Sequence, residues 1–276
     1  MASHTIKFGF NHMVRPSLTP AELIDAAARV GAAAIELRND IGANSVNDID
    51  AARRVGAQAA DRGLEIRSVN ALYPFNLWSD ERARQTEALA RLAAACGAVG
   101  LVMCPLNEGK MLEDTPEKAA GLRAALNGIR PILGAFGLKG FVEPLGFPFS
   151  SLRFKRAAID AIDDIQGTDT FLLTHDTFHH RVAGEREIFA ARTGLVHISG
   201  LEDPTIGFAD MLDGHRVLVG PKDRLGNIEQ LRQLYAEGYD GIVSFEPFAK
   251  EVHELAQPID AVRASMAYIR EALTAP

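Results

Sequence analysis

Seven times along this chain a helix-like segment runs into a glycine, and an apolar, strand-like run begins a few residues later. The junctions read RVGAAAIEL, DRGLEIRSV, ACGAVGLVM, AFGLKGFVE, IQGTDTFLL, RTGLVHISG and EGYDGIVSF, with glycines at Gly31, Gly63, Gly97, Gly137, Gly167, Gly194 and Gly238. A glycine just past a helix closes the last turn in the left-handed conformation without a Cβ clash. Seven such joints, with a first strand over 6–11, predict eight strands alternating with helices. A chain of 276 residues suits one α/β barrel, which typically runs near ~250 residues. The span 1–276 is therefore read as a single (β/α)8 TIM barrel domain. An open doubly wound sheet is the alternative, but it normally carries a glycine-rich nucleotide turn after its first strand. Here that turn reads NHMVRPSLT.

The segments between the glycines carry their own signals. Thr19-Pro20-Ala21-Glu22 is a capping box with proline at the first helical position, and Leu23, Ala27 and Val30 follow on one face. Ser79 and Thr115 are expected N-caps. The last helix sets Ile259, Val262, Met266, Ile269 and Leu273 in one stripe. The strands are short continuous apolar runs, such as 100–104 and 171–173, as in a parallel sheet covered on both faces. Two loops are long, 73–79 and 200–226, and the second lies on the strand-end side.

Composition excludes several classes of function. A net charge of −7 without a basic cluster argues against nucleic acid as a partner. The start, MASHTIKFGF, lacks the regions of a secretory signal, and no apolar run is long enough to span a bilayer. The two cysteines, Cys96 and Cys104, sit in apolar context and read as reduced thiols, which points to the cytoplasm.

Four ionisable residues fall at the ends of four successive strand-like runs: Glu143 in GFVEPLG, Asp176 in FLLTHDTFHH, His197 in LVHISG and Glu246 in IVSFEPF. Barrel active sites form at the C-terminal strand ends, so these side chains are expected to face one point. Taken singly, each has a plain structural reading as a cap, an ion-pair partner or a core histidine. Taken together, ionised groups in apolar strands need mutual compensation, which one dication supplies. Carboxylate oxygens with one imidazole suit Mn2+, Mg2+, Co2+ or Zn2+. His179, three residues after Asp176, is placed to reach a bound substrate, while His175 and His180 are expected to face away.

At these residues the chain resembles the xylose-isomerase-like family of sugar isomerases and epimerases. The strings IELR at 35–38, VNAL at 69–72, EPLGFPFSSLRF at 143–154, DTFHH at 176–180, VHISGLEDPTIGF at 196–208 and YDGIVSFEPF at 239–248 carry a likeness nearest to the inosose isomerases of inositol catabolism. The resemblance implies a (β/α)8 barrel whose metal set matches Glu143, Asp176, His197 and Glu246, with Asp176 and His179 as its D-x-x-H element. It implies a divalent-metal-dependent isomerase or epimerase of a keto-inositol or similar keto-sugar. The reaction would pass through α-proton abstraction and a metal-stabilised cis-enediolate, with Glu143 and Glu246 as the acid/base pair. His179, Asn11, Arg38, Asn70 and Trp78 are then expected at the substrate, and GPKDRLGN would bring Lys222 and Arg224 to the mouth, either to contact substrate oxygens or only to close the loop. Barrels of this family often associate, so a homo-oligomer is compatible with it.

Alternatives stay open at this point. They are a ketose 3-epimerase, a hydroxypyruvate isomerase, a metal-dependent dehydratase of the dehydroshikimate type and a non-catalytic sugar-binding barrel. Many ketose 3-epimerases carry a second glutamate shortly after the fifth-strand ligand, and 146–151 holds no carboxylate. An endonuclease-IV-like nuclease would need more histidine and acidic ligands and a basic face.

Overall fold

The computed structural model describes residues 5–107 and 115–274. The first four residues of the N-terminal segment and the ends of the 1–276 span lie outside the described residues. Eight parallel strands close into a barrel in sequence order. They are β1 (Lys7–Asn11), β2 (Ala34–Arg38), β3 (Glu65–Leu72), β4 (Gly100–Met103), β5 (Lys139–Val142), β6 (Phe171–Asp176), β7 (Thr193–Ile198) and β8 (Ile242–Phe245). Phe8 pairs with Val243 where β1 meets β8, so no edge is left unpaired. Around the barrel run α1 (Pro20–Val30), α2 (Ile49–Asp61), α3 (Asp80–Cys96), α4 (Pro116–Ala135), α5 (Lys155–Asp164), α6 (Thr177–Ala183), α7 (Asn227–Ala236), the single turn α8 (Lys250–His253) and α9 (Pro258–Thr274). None of the described helices is long and apolar enough to cross a membrane.

The local signals act as their chemistry requires. The Thr19 hydroxyl accepts from the Glu22 N–H, and the Glu22 carboxylate accepts from the Thr19 N–H. Ser79 and Thr115 cap α3 and α4 through the N–H groups of Arg82 and Lys118. On α9, Val262, Met266 and Ile269 are buried, while Ile259 and Leu273 pack at the edge of the same core. That core fills the space between strands and helices, with Phe8 stacked on Phe245.

The glycine rule holds at five of the seven joints, where Gly31, Gly63, Gly97, Gly137 and Gly238 take positive φ. Gly167 and Gly194 depart from it. Gln166, not Gly167, carries the positive φ after α5. Gly194 lies inside β7, where an added Cβ would meet the Phe141 ring at 2.7 Å. Its absent side chain serves packing, and Gly184, at φ 69°, closes α6 instead.

The loops at the C-terminal end of the barrel, with Phe178 of α6, build a second small core from Leu145, Phe147, Phe178, Leu201, Met211 and Leu225. Long loop 200–226 is thereby seated. Gly200 bridges Val217, and the Arg216 carbonyl accepts from the N–H groups of Phe248 and Ala249.

Candidate metal centre

The barrel brings Glu143, Asp176, His197 and Glu246 together. Each is buried, and one ligand atom from each lies within 4.8 Å of the others. Glu143 and Glu246 follow β5 and β8 directly, Asp176 ends β6 and His197 is the penultimate residue of β7. The Nδ1 atom of His197 faces Glu143 Oε1 at 3.0 Å and Glu246 Oε2 at 3.2 Å. These four residues can hold a metal ion.

Two residues that the sequence reading did not single out complete the centre. Glu36, in the middle of β2, is fully buried and lies 3.1 Å from His197 Nε2. Arg216, on the 200–226 loop, donates through Nη2 to Asp176 Oδ2 at 2.6 Å and to Glu246 Oε2 at 3.1 Å. Its other nitrogens reach Ser199 Oγ and Asp213 Oδ1, and its guanidinium lies over the Phe178 and Phe248 rings. Glu36 was visible in principle, because AIELR interrupts an apolar strand with a carboxylate as the four strand-end residues do. Arg216 stands beside the short apolar run VLV, which is only a weak signal in a long loop.

The expected substrate contacts divide. Asn11, Arg38 and Asn70 do reach the centre, but as buried supports of its carboxylates. Asn11 donates to Glu36 at 3.3 Å and to Glu246 at 3.2 Å. Arg38 donates to Glu246 Oε1 at 3.1 Å while its other side is clasped by Asp40. Asn70 donates to Glu36 Oε2 at 3.0 Å. His179 is buried between the Phe147 and Phe178 rings, and its buried Nδ1 has no hydrogen-bond partner among the described residues. Its backbone N–H donates to Asp176 Oδ1 at 2.9 Å.

Among the described residues no hydrogen bond or ion pair joins Trp78, Lys222 or Arg224 to the centre. Trp78 is seated on α4, where an added Cβ at Gly128 would lie 2.1 Å from the indole. Lys222 is exposed and makes no side-chain hydrogen bond or ion pair among the described residues. Arg224 ties its own loop by donating to the carbonyls of Asp203 and Ile206. His175 and His180 do face away, both toward the buried Lys155 ammonium. Burial pulls that lysine down to about 8.

One further side chain belongs to the mouth. Cys104, just after β4, donates its thiol to Glu143 Oε2 at 3.3 Å. Burial and the Glu143 carboxylate push its pKa well up, so it stays a thiol.

The electrostatics favour a dication. Four buried carboxylates (Glu36, Glu143, Asp176 and Glu246) face two buried guanidiniums, Arg38 and Arg216. With His197 neutral, two negative charges remain, and one dication cancels them. Without an ion a protonated imidazole cancels one of the two. Burial opposes its charging, yet Glu246, Glu36 and Glu143 raise the His197 pKa well above the usual range. Burial likewise opposes ionisation of Glu36, but the charge and hydrogen bond of His197, with Ser68 assisting, hold it down at about 2. The donor set, three carboxylates and one imidazole nitrogen, fits Mn2+, Mg2+, Co2+ or Zn2+.

Known proteins place this barrel. Its fold superposes on a xylose isomerase domain containing protein from Salmonella typhimurium LT2 with a TM-score of 0.87, at 31% identity over 100% of both chains. It is similar to the IolI protein, solved with a zinc atom bound, with a TM-score of 0.79 at 18% identity over 98% of each chain. It is also similar to L-ribulose 3-epimerase, with a TM-score of 0.74 at 19% identity over 98% of this chain and 95% of that one. No curated protein sequence matches this chain. The family model that describes the xylose isomerase-like TIM barrel matches residues 24–272. By that match over most of its length, and by the full-length 31% identity, the chain belongs to the xylose isomerase-like TIM barrel family.

Proposed function

We propose that this chain is a divalent-metal-dependent isomerase or epimerase of an uncharged polyhydroxy ketone, a keto-inositol or a similar keto-sugar. The observation that carries the reading is the closed constellation of Glu143, Asp176, His197 and Glu246, which with Glu36, Arg38 and Arg216 leaves a surplus of two buried negative charges that one dication balances. The zinc in the IolI structure and the sugar chemistry named for L-ribulose 3-epimerase point the same way. On this reading the protein works in the cytoplasm, in inositol catabolism.

A dication held by the four residues supplies Lewis acidity toward the ketone oxygen, which makes the neighbouring C–H acidic. The protein's own groups divide the remaining work. Among the described residues Glu143 has only the Cys104 thiol and the His197 imidazole as hydrogen-bond partners, so it is the better base for the α-proton. Glu246 is held by Asn11, Arg38 and Arg216, and despite burial the charge and hydrogen bond of His197, then the charges of Arg216 and Arg38, keep its carboxylate ionised. It faces the substrate from the β8 side and exchanges a proton at the second carbon or face. The His179 Nδ1, without a partner among the described residues, offers a hydrogen bond to a substrate hydroxyl. Phe147, Phe178 and the seated 200–226 loop exclude water.

Charge favours a neutral ketone over a keto acid. Both buried guanidiniums are already paired, Arg38 with Asp40 and Glu246, Arg216 with Asp176, Asp213 and Glu246. Once a dication balances the centre, a substrate carboxylate adds an uncompensated buried charge. Metal-loaded protein incubated in D2O with inososes, ketoses, hydroxypyruvate and dehydroshikimate tests the reading by NMR. Deuterium is expected at the carbon beside the ketone of a neutral substrate. Loss of water from dehydroshikimate, or exchange confined to the keto acids, would refute it.

A further inference from the structure

We infer that Glu36 is a positioning residue that sets which nitrogen of His197 faces the metal. The inference rests on the metal-binding reading above. It begins with the surroundings of the Glu36 carboxylate. Ser68 Oγ donates to Oε2 at 2.6 Å and Asn70 Nδ2 donates to it at 3.0 Å. Asn11 Nδ2 donates to Oε1 at 3.3 Å. The Asn11 amide cannot turn over without loss, because its Oδ1 accepts the Met13 N–H at 2.9 Å. Donors from β1 and β3 thus surround Glu36 and leave it no role but acceptor.

An acceptor-only carboxylate 3.1 Å from His197 Nε2 through both oxygens requires the proton on Nε2. In the neutral ring, Nδ1 then presents its lone pair toward Glu143 Oε1 and Glu246 Oε2. A lone pair aimed at two carboxylates is repulsive unless a cation stands among them. Glu36 therefore commits the imidazole to a cation on the Nδ1 side and makes that nitrogen more basic through the negative charge on its far side. Neither Glu36 nor its donors belong to the four metal-holding residues, so the arrangement is a built support reaching across the barrel from β1, β2 and β3 to β7.

Mn2+ titrated calorimetrically into Glu36→Gln and into wild-type protein tests the role. Affinity in the variant is expected to fall roughly 10–100-fold, the usual cost of losing such a partner. The thermal midpoint of the metal-free variant supplies the control, because a purely structural role would lower it and leave Mn2+ affinity untouched. The wild-type protein gives a second, independent measurement. In the Zn2+-loaded form, nitrogen-15 spectra are expected to show His197 with a protonated Nε2 and a metal-bound Nδ1. Unchanged Mn2+ affinity in the variant, or zinc on Nε2 in the wild type, overturns the role of Glu36 while the metal reading stands. A wild-type protein that takes up neither ion overturns both.

Discussion

Metal uptake by this protein should expel a proton, and the amount follows from the surroundings of His197. In the metal-free centre Glu246, Glu36 and Glu143 overcome burial and hold the imidazole charged well above its ordinary range. Both ring nitrogens then carry protons near neutral pH. A dication that takes the Nδ1 position must displace one of them. Across the window from ordinary imidazole titration up to the raised value, affinity should change tenfold per pH unit, about 1.4 kcal/mol each. Between pH 8 and pH 6 the loss is about a hundredfold, or roughly 2.7 kcal/mol. Calorimetry at pH 7 in two buffers of different ionisation enthalpy reads the proton count directly, and repetition from pH 6 to pH 8 reads the slope. Stability of the metal-free chain should follow the same group. The imidazolium contribution is fully present below the unfolded pKa and is lost as pH rises through the raised folded one. A flat affinity over this range with no proton released would refute the assignment of Nδ1 as a ligand.

Other perturbations separate the parts of the centre. Glu246→Gln should reduce α-proton exchange at least ~100-fold with the circular dichroism of the wild type retained, and full activity would remove Glu246 from the acid/base pair. Arg216→Met leaves Asp176 and Glu246 without their shared guanidinium. Denaturant unfolding should show a loss of about 3–5 kcal/mol without a dication and a smaller loss with one saturating. Equal losses under both conditions would show that the guanidinium and the ion do not balance the same charges. Gly128→Ala pushes a methyl into the Trp78 indole and should cost about 1–3 kcal/mol, with Mn2+ affinity unchanged. A change in that affinity would return Trp78 to the site.

What could be read ahead of the structure divides along physical lines. Glu143, Asp176, His197 and Glu246 stood out because a charge in a continuous apolar strand has few explanations. Glu36 obeys the same rule but sits in mid-strand, where attention to strand ends passed over it. Arg216 had no comparable signal. Its place depends on Leu201 and Met211 docking the 200–226 loop into the second core, a tertiary event with no local period. The resemblance put Trp78 and Arg224 near the mouth without a packing signal of their own. Direction was decided by partners far away, the bare Gly128 surface of α4 for one and the carbonyls of Asp203 and Ile206 for the other. Gly194 shows the limit of the glycine rule, since a glycine required by close packing reads in sequence like one required by a turn.

The most direct test of the central claim is the metal dependence of α-proton exchange on one neutral keto-polyol, followed by NMR in D2O. Protein stripped by a chelator should exchange nothing above the buffer rate, and one equivalent of Mg2+, Zn2+ or Co2+ should restore exchange. Exchange that persists undiminished in the stripped protein would contradict a metal centre at Glu143, Asp176, His197 and Glu246.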